Sequence, residues 1–240
     1  KAVFHLAANS DIQRSAQNPE PDFQMTFMTT VQVLRCMREY HTKHLIFSSS
    51  SAVYGESSQL LNEDSGPLRP ISHYGAAKLS SEAFISSCAA RDGIQAWIFR
   101  FPNVVGARAT HGVLVDLLRK LSRNPHELEV LGDGNQQKPY LVVTDVVDAM
   151  LFAWERAKEP LNCFNIGVES VTKVSAIVQM ILRELRLQPN VVYAGGRGGW
   201  PGDVPQVRYD TAKLRALGWS ARWTSDEAVE RAVRELIAAR

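Results

Sequence analysis

The sequence predicts an α/β protein, a parallel sheet flanked by helices, and three observations carry that reading. Short apolar runs at Ala2–Ala7, His44–Phe47 and Ile94–Arg100 have the length and composition of buried strands. Between them lie stretches of helical period, at about Asp22–Tyr40 and Ser72–Ala90. The second run breaks into Ser48-Ser49-Ser50-Ser51 and ends in Val53-Tyr54-Gly55. Hydroxyls then sit at the carboxyl end of a strand, where open α/β sheets bind their ligands. From about Gly106 the alternation weakens into a smaller α-rich region, so the chain divides into residues 1–106 and 107–240, some later segments returning to the sheet.

In order along the chain, the first strand leads into a loop, Asn9–Glu20, and Pro19 and Pro21 mark a helix start. Phe23, Phe27, Val31, Leu34 and Met37 form the apolar stripe expected on that helix. The polar loop Glu56–Ser72 follows the serine-rich strand, and the next helix ends at Arg91-Asp-Gly93, with glycine placed for a left-handed cap. Further on, His111-Gly112-Val113-Leu114 opens an amphipathic helix, Leu128–Leu131 is a short strand and Cys163–Gly167 another. Helices follow at Thr144–Lys158 (Val147, Met150 and Trp154 inward) and Thr172–Leu185 (Val174, Ile177, Val178, Ile181, Leu185). Thr224-x-x-Glu227 is a capping box that starts the last helix.

Composition narrows the function. The 240 residues are 45% hydrophobic, enough for a sizeable core. A net charge of +2 without a basic run argues against nucleic acid and against an anionic membrane surface. No apolar stretch has transmembrane length and no signal peptide is visible. Cys36, Cys88 and Cys163 are widely spaced and odd in number. They read as buried thiols of a reducing cytoplasm, neither bridged nor holding a metal.

The chemistry is concentrated at Tyr74-Gly-Ala-Ala-Lys78. Four residues apart on a helix, a phenol and an ammonium share one face. A free tyrosine ionises near pH ~10, too high for a base at neutral pH. A neighbouring cation is expected to pull that value down toward working pH. A strand-end serine could then hold a substrate hydroxyl against the phenol.

His5-Leu-Ala-Ala8, the serine-rich strand through Gly55, Tyr74 with Lys78, Arg100-Phe-Pro-Asn-Val-Val-Gly106 and Gly202-Asp-Val-Pro205 occur in an order that resembles one family. It is the extended short-chain dehydrogenase/reductases, in the nucleotide-sugar epimerase/dehydratase group that contains the UDP-glucose 4-epimerases. The resemblance implies a Rossmann-like sheet, NAD as cofactor and epimerisation of a nucleotide-linked sugar, at C4, through a transient keto form. It implies Ser50, Tyr74 and Lys78 as catalytic residues. Leu6, Ala7, Ala8, Ser48, Ser49, Phe101 and Pro102 would join Tyr74 and Lys78 beside the cofactor. Ser10, Ser50, Asn103, Gly112, Val113, Leu131, Lys138, Asp203 and Val207 would face the substrate, Asn103 toward the diphosphate, Leu131 toward the uracil edge and Asp203 toward a ribose hydroxyl. It further implies a cytoplasmic homodimer joined by a four-helix interface, in polysaccharide biosynthesis.

Departures from the family pattern refine these expectations. Thr26 stands where the family has an asparagine. Ser51-Ala52 replaces the Asp-Glu pair of dehydratases, which argues against dehydration. Lys138 replaces a diphosphate-gripping arginine, losing its bidentate fork; it is either a weaker grip or a solvated lysine. Trp200 replaces another arginine, with Arg197 as its candidate substitute. Val207 stands where galactose epimerases carry a tyrosine, leaving room for a 2-acetamido sugar. His5 reads as a packed strand histidine. The chain enters its first strand at Lys1 with no counterpart of the glycine-rich phosphate loop, and so reads as a fragment expected to bind a dinucleotide poorly. NADP stays open with NAD. A reductase or dehydrogenase on the same residues, or a non-catalytic nucleotide-binding subunit, are the alternative activities.

Overall fold

The computed structural model describes residues 1–10, 12, 16–57, 59–196 and 208–239. β1 (Ala2–His5) is followed by a helical turn, Glu20–Asp22, a π-helical stretch, Phe23–Met28, and α1 (Thr29–Glu39). β2 (His44–Ser50), a 3₁₀ turn at Ser51–Tyr54, α2 (His73–Asp92) and β3 (Gln95–Phe101) complete the first half. Then come β4 (Asn103–Val105), α3 (Val113–Arg123), β5 (Glu127–Val130), β6 (Gln137–Lys138) and β7 (Tyr140–Val142). α4 (Val143–Arg156), β8 (Leu161–Asn165), β9 (Thr172–Lys173), α5 (Val174–Leu185), β10 (Asn190–Tyr193), α6 (Ala212–Ala216) and α7 (Ser225–Ala238) follow.

β1, β2, β3 and β8 pair in that order, all parallel. Side chains of a strand alternate between faces, so consecutive apolar residues of β2 and β3 serve two cores. Leu45, Phe47, Ala96 and Ile98 pack on Leu34, Met37 and Ile85 of α1 and α2. Ile46, Trp97 and Phe99 pack on Val146, Ala149, Met150 and Ala153 of α4 and Leu214 of α6. This is why the runs read as continuously apolar: each strand is covered on both sides. A third core joins Leu117, Leu121, Leu128, Ile177, Ile181, Val229 and Val233 of α3, β5, α5 and α7. The capping box of Thr224 and Glu227 is present at the start of α7. Among the described residues no helix is long and apolar enough to cross a membrane.

Three expectations are corrected. The inward stripe after β1 is Asp22, Thr26, Thr30, Leu34 and Met37, while Phe23 is exposed. In the π-helical stretch each turn takes an extra residue, which rotates the later positions relative to a regular helix. Phe27 instead meets Phe84 of α2 edge-on at 5.1 Å. On α4, Val147 is exposed and Val146 is buried. The three cysteines, expected to be buried, are not: Cys36 is exposed and Cys88 and Cys163 are only half-buried.

Candidate active site

The site is built by a turn. Ser50 ends β2 and caps the 3₁₀ turn, its Oγ accepting the Ala52 N–H at 3.2 Å. Ser72 caps α2 in the same way, accepting from the Gly75 N–H at 3.1 Å. The two caps are pressed together: a Cβ on Gly75 would lie 2.5 Å from the Ala52 carbonyl oxygen. That close approach, open only to glycine, carries the neighbouring Tyr74 to Ser50, whose hydroxyl bonds the phenol. One turn on, Lys78 is buried and its Nζ donates to the Ser48 carbonyl at 2.5 Å. The ammonium lies 4.8 Å from the centre of the Phe47 ring and 5.8 Å from that of Tyr74.

Burial sets the electrostatics. Tyr74 is half-buried, but its phenol is pushed up to about 12 by burial, Asp22's charge acting the same way and the Ser50 bond opposing. The expected lowering by Lys78 is therefore not found. The loss of water around the hydroxyl outweighs the bond that favours its anion, and the ammonium faces the ring. Burial pushes Lys78 down to about 8, with Glu82 holding it up. His5, as read, is a packed strand histidine, bonded through Nε2 to Thr30 Oγ1 at 2.9 Å and pushed down to about 4 by burial and by Lys78. It is neutral.

Around this centre the carboxyl ends of the strands place the other expected residues. Leu6 and Ala7 are exposed and Ala8 half-buried on the loop leaving β1, with Ser10 exposed beyond them. That loop is pinned at Asn9, whose N–H bonds Thr26 Oγ1 at 3.0 Å and whose Nδ2 bonds Asp22 Oδ1 at 2.7 Å. Thr26 thus has a definite task in the asparagine's place. Phe101 pairs with Ser50 across the sheet, and it and Pro102 are half-buried. Ser48 bonds the His5 carbonyl at 3.3 Å. Ser49, expected beside the cofactor, is fully buried and turns its hydroxyl inward to Glu82, so its side chain cannot reach a ligand.

On the substrate side, Asn103 is exposed at the start of β4, and Gly112, at φ +96°, leads into α3 with Val113 half-buried. Leu131 is exposed just past β5, and Lys138 is half-buried in β6. Asp203 and Val207, with Arg197 and Trp200, lie outside the described residues. Sequence reasoning missed Asn9, Asp22, Glu82 and Arg100 as a supporting set. The available signal was charge in the wrong place: Glu82 continues the Tyr74–Lys78 stripe by four residues, and Arg100 interrupts an apolar strand.

Residues 1–167 match the model of the NAD-dependent epimerase/dehydratase family, more than half of the chain. The chain belongs to that family. The sequence is 31% identical to a UDP-glucose 4-epimerase of Streptomyces lividans, over 91% of this chain and 70% of that protein. It covers a smaller share, 58%, of UDP-arabinose 4-epimerase 1 of Arabidopsis thaliana, at 28% identity. A crystal structure of a UDP-galactose 4-epimerase superposes with a TM-score of 0.90 at 35% identity, over 99% of this chain and 77% of that one. MoeE5 in complex with UDP-glucuronic acid and NAD gives 0.89 at 26% identity, over 100% of this chain and 80% of that one. The sheet of this epimerase/dehydratase-family chain is therefore Rossmann-like.

Proposed function

We propose that this chain carries the catalytic centre of an NAD-dependent epimerase that inverts C4 of a nucleotide-linked sugar, with Ser50, Tyr74 and Lys78 as its catalytic residues. The observation that carries the proposal is the phenol bonded to a strand-end serine and backed, one turn away, by a buried ammonium. The 4-epimerase names of the relatives support the reaction, and their UDP-sugars support a uridine nucleotide.

The residues present fit a dinucleotide at this edge. Lys78 has one hydrogen-bond acceptor among the described residues, the Ser48 carbonyl, which leaves ammonium donors for ribose hydroxyls. Leu6, Ala7 and Ala8 on one side, and Phe101 and Pro102 on the other, would flank the nicotinamide end. When bound, the dinucleotide supplies the hydride acceptor and a positive charge beside the phenol. Before ligands arrive, a phenol at about 12 is ionised in only about one molecule in 10⁵ at neutral pH, so Tyr74 rests protonated. In turnover the phenol would first give up its own proton to solvent, a loss that the Lys78 charge and the dinucleotide's positive charge favour; Ser50 then orients the sugar hydroxyl and the Tyr74 phenolate takes its proton. Tyr74 then returns the proton to the rotated keto sugar's oxygen as it is reduced on its other face.

Residues 1–106 would hold cofactor and catalytic groups, and 107–240 would mainly hold substrate. Ser10, Asn103, Gly112, Val113, Leu131 and Lys138 would line the sugar nucleotide, Asp203 and Val207 completing it. Exposed Phe23, Met25 and Phe84, on the helical segment after β1 and on α2, support a homodimer that pairs these helices.

Turnover of UDP-galactose and UDP-glucose with added NAD tests the reading. Tyr74→Phe is expected to lower kcat by about 10²- to 10⁴-fold with melting unchanged. Unchanged turnover would overturn it.

A further inference from the structure

Behind the phenol lies a buried charge that the proposed reaction leaves unexplained. Tyr74, Lys78 and Glu82 stand four residues apart on α2 and so share one stripe. Each meets one of three consecutive serines at the end of β2. Ser50 bonds Tyr74, the Ser48 carbonyl accepts from Lys78, and Ser49 Oγ donates to Glu82 Oε1. From β3, Arg100 closes on Glu82 with a fork, Nη2 to Oε2 at 2.6 Å and Nε to Oε1 at 3.1 Å, both side chains 7% exposed. Arg100 Nη1 also donates to the Tyr54 hydroxyl at 3.0 Å, and that hydroxyl donates to Asn165 Oδ1 at 2.7 Å.

Stability alone is a poor reason for such a pair. Taking two charges out of water costs several kcal/mol each, and apolar residues of the same volume often serve as well. Its location suggests a different purpose. Lys78 and Arg100 place two cations behind the phenol, and Glu82 is the carboxylate whose charge acts on Lys78. The other groups facing the ammonium lend no negative charge: His5 of β1 is neutral, and Phe47 and Ser48 of β2 are uncharged. Asp22, on the helical turn before α1, acts on Tyr74.

We propose that Glu82 is a positioning residue for the reaction: it holds the serine end of β2 against α2 and keeps Lys78 a cation, with Arg100 moderating its charge. This rests on the catalytic reading of Tyr74 and Lys78. Burial already pushes Lys78 down to about 8, so removing Glu82's charge moves its titration into the working range, where the ammonium is lost.

The test is a pH titration of the Lys78 ammonium by nitrogen-15 NMR on the full chain, its signal assigned by its loss in Lys78→Arg. Glu82→Gln and Arg100→Gln break the same ion pair. Glu82→Gln is expected to move the titration about one pH unit or more toward acid, and Arg100→Gln toward alkali. A loss of packing has no reason to produce opposite signs, so shifts in one direction, or none, would overturn the proposal. Should Glu82→Gln not fold, Arg100→Gln decides alone, an alkaline shift supporting the proposal and any other result refuting it. Ser49→Ala keeps both charges and removes the link to β2. It is expected to lower kcat with KM and the Lys78 titration unchanged, and an unaltered kcat would sink the positioning role. Turnover that survives Tyr74→Phe would instead refute the catalytic reading, leaving the titration to judge Glu82's charge on its own.

Discussion

Gly75 is the contact on which the alignment of Ser50 and Tyr74 depends, and Gly75→Ala puts a number on it. A Cβ there would sit 2.5 Å from the Ala52 carbonyl oxygen and 2.9 Å from Pro70 Cβ. Neither is the loose end of a flexible chain, so the start of α2 must back away by about 0.5–0.8 Å to reach a tolerable contact. Ala52 is the residue whose N–H Ser50 caps, and Tyr74 precedes Gly75, so the displacement opens the gap between the two hydroxyls proposed as catalytic. A misplacement of about 1 Å typically costs about 10²-fold in rate, which predicts a kcat lowered about tenfold to fiftyfold here. Stability should change less. Overpacking costs about 1–3 kcal/mol, and the helix preference for alanine over glycine returns about 1 kcal/mol. Steady-state epimerisation and thermal melts of Gly75→Ala, beside Ala76→Gly at the exposed next position, separate the two effects. The neighbour should lose about 1 kcal/mol of stability and keep its turnover. Wild-type kcat in Gly75→Ala would refute the argument that this contact places the phenol.

Other outcomes follow from the same electrostatics. Lys78→Met removes a desolvated cation, worth about 3 kcal/mol at neutral pH, and forfeits its bond to the Ser48 carbonyl, worth about 1 kcal/mol, so it should stabilise the fold by about 2 kcal/mol while abolishing turnover. Because Lys78 is at about 8 folded and near 10.5 unfolded, the wild type gains stability as pH rises between those values, and the variant should not. His5 is held at about 4 against 6.5 unfolded, so below 6.5 the unfolded chain takes up a proton the folded one refuses. Stability should fall by about 3 kcal/mol between pH 6.5 and 4, and His5→Gln should lessen that loss in melts across the range. Thr224→Ala breaks the capping box of α7 far along the chain, and should cost about 1 kcal/mol in a denaturant melt with activity kept.

Much of this molecule is legible from short stretches of sequence. Four to seven apolar residues buried on both faces look the same wherever they occur, which is why β2 and β3 stand out. The spacing of Tyr74 and Lys78 and the run of serines are equally local, so the centre of the candidate site could be proposed before its geometry was known. Charge and phase were harder. Phe23 and Phe27 carry the apolar signal of the helix after β1, yet the face turned inward there holds Asp22 and Thr26, because the π-helical stretch shifts the register and both polar groups bond Asn9.

What the linear order determined by itself was the alternation of strands and helices and the residue types at the strand ends, since periodicity and turn chemistry act over a few neighbours. Only the tertiary structure decided that burial pushes the Tyr74 phenol up, that Ser49 faces inward, and that Glu82 and Arg100 meet. Those outcomes depend on which segments exclude water from which, and residues 49, 54, 82, 100 and 165 become neighbours only when the sheet assembles.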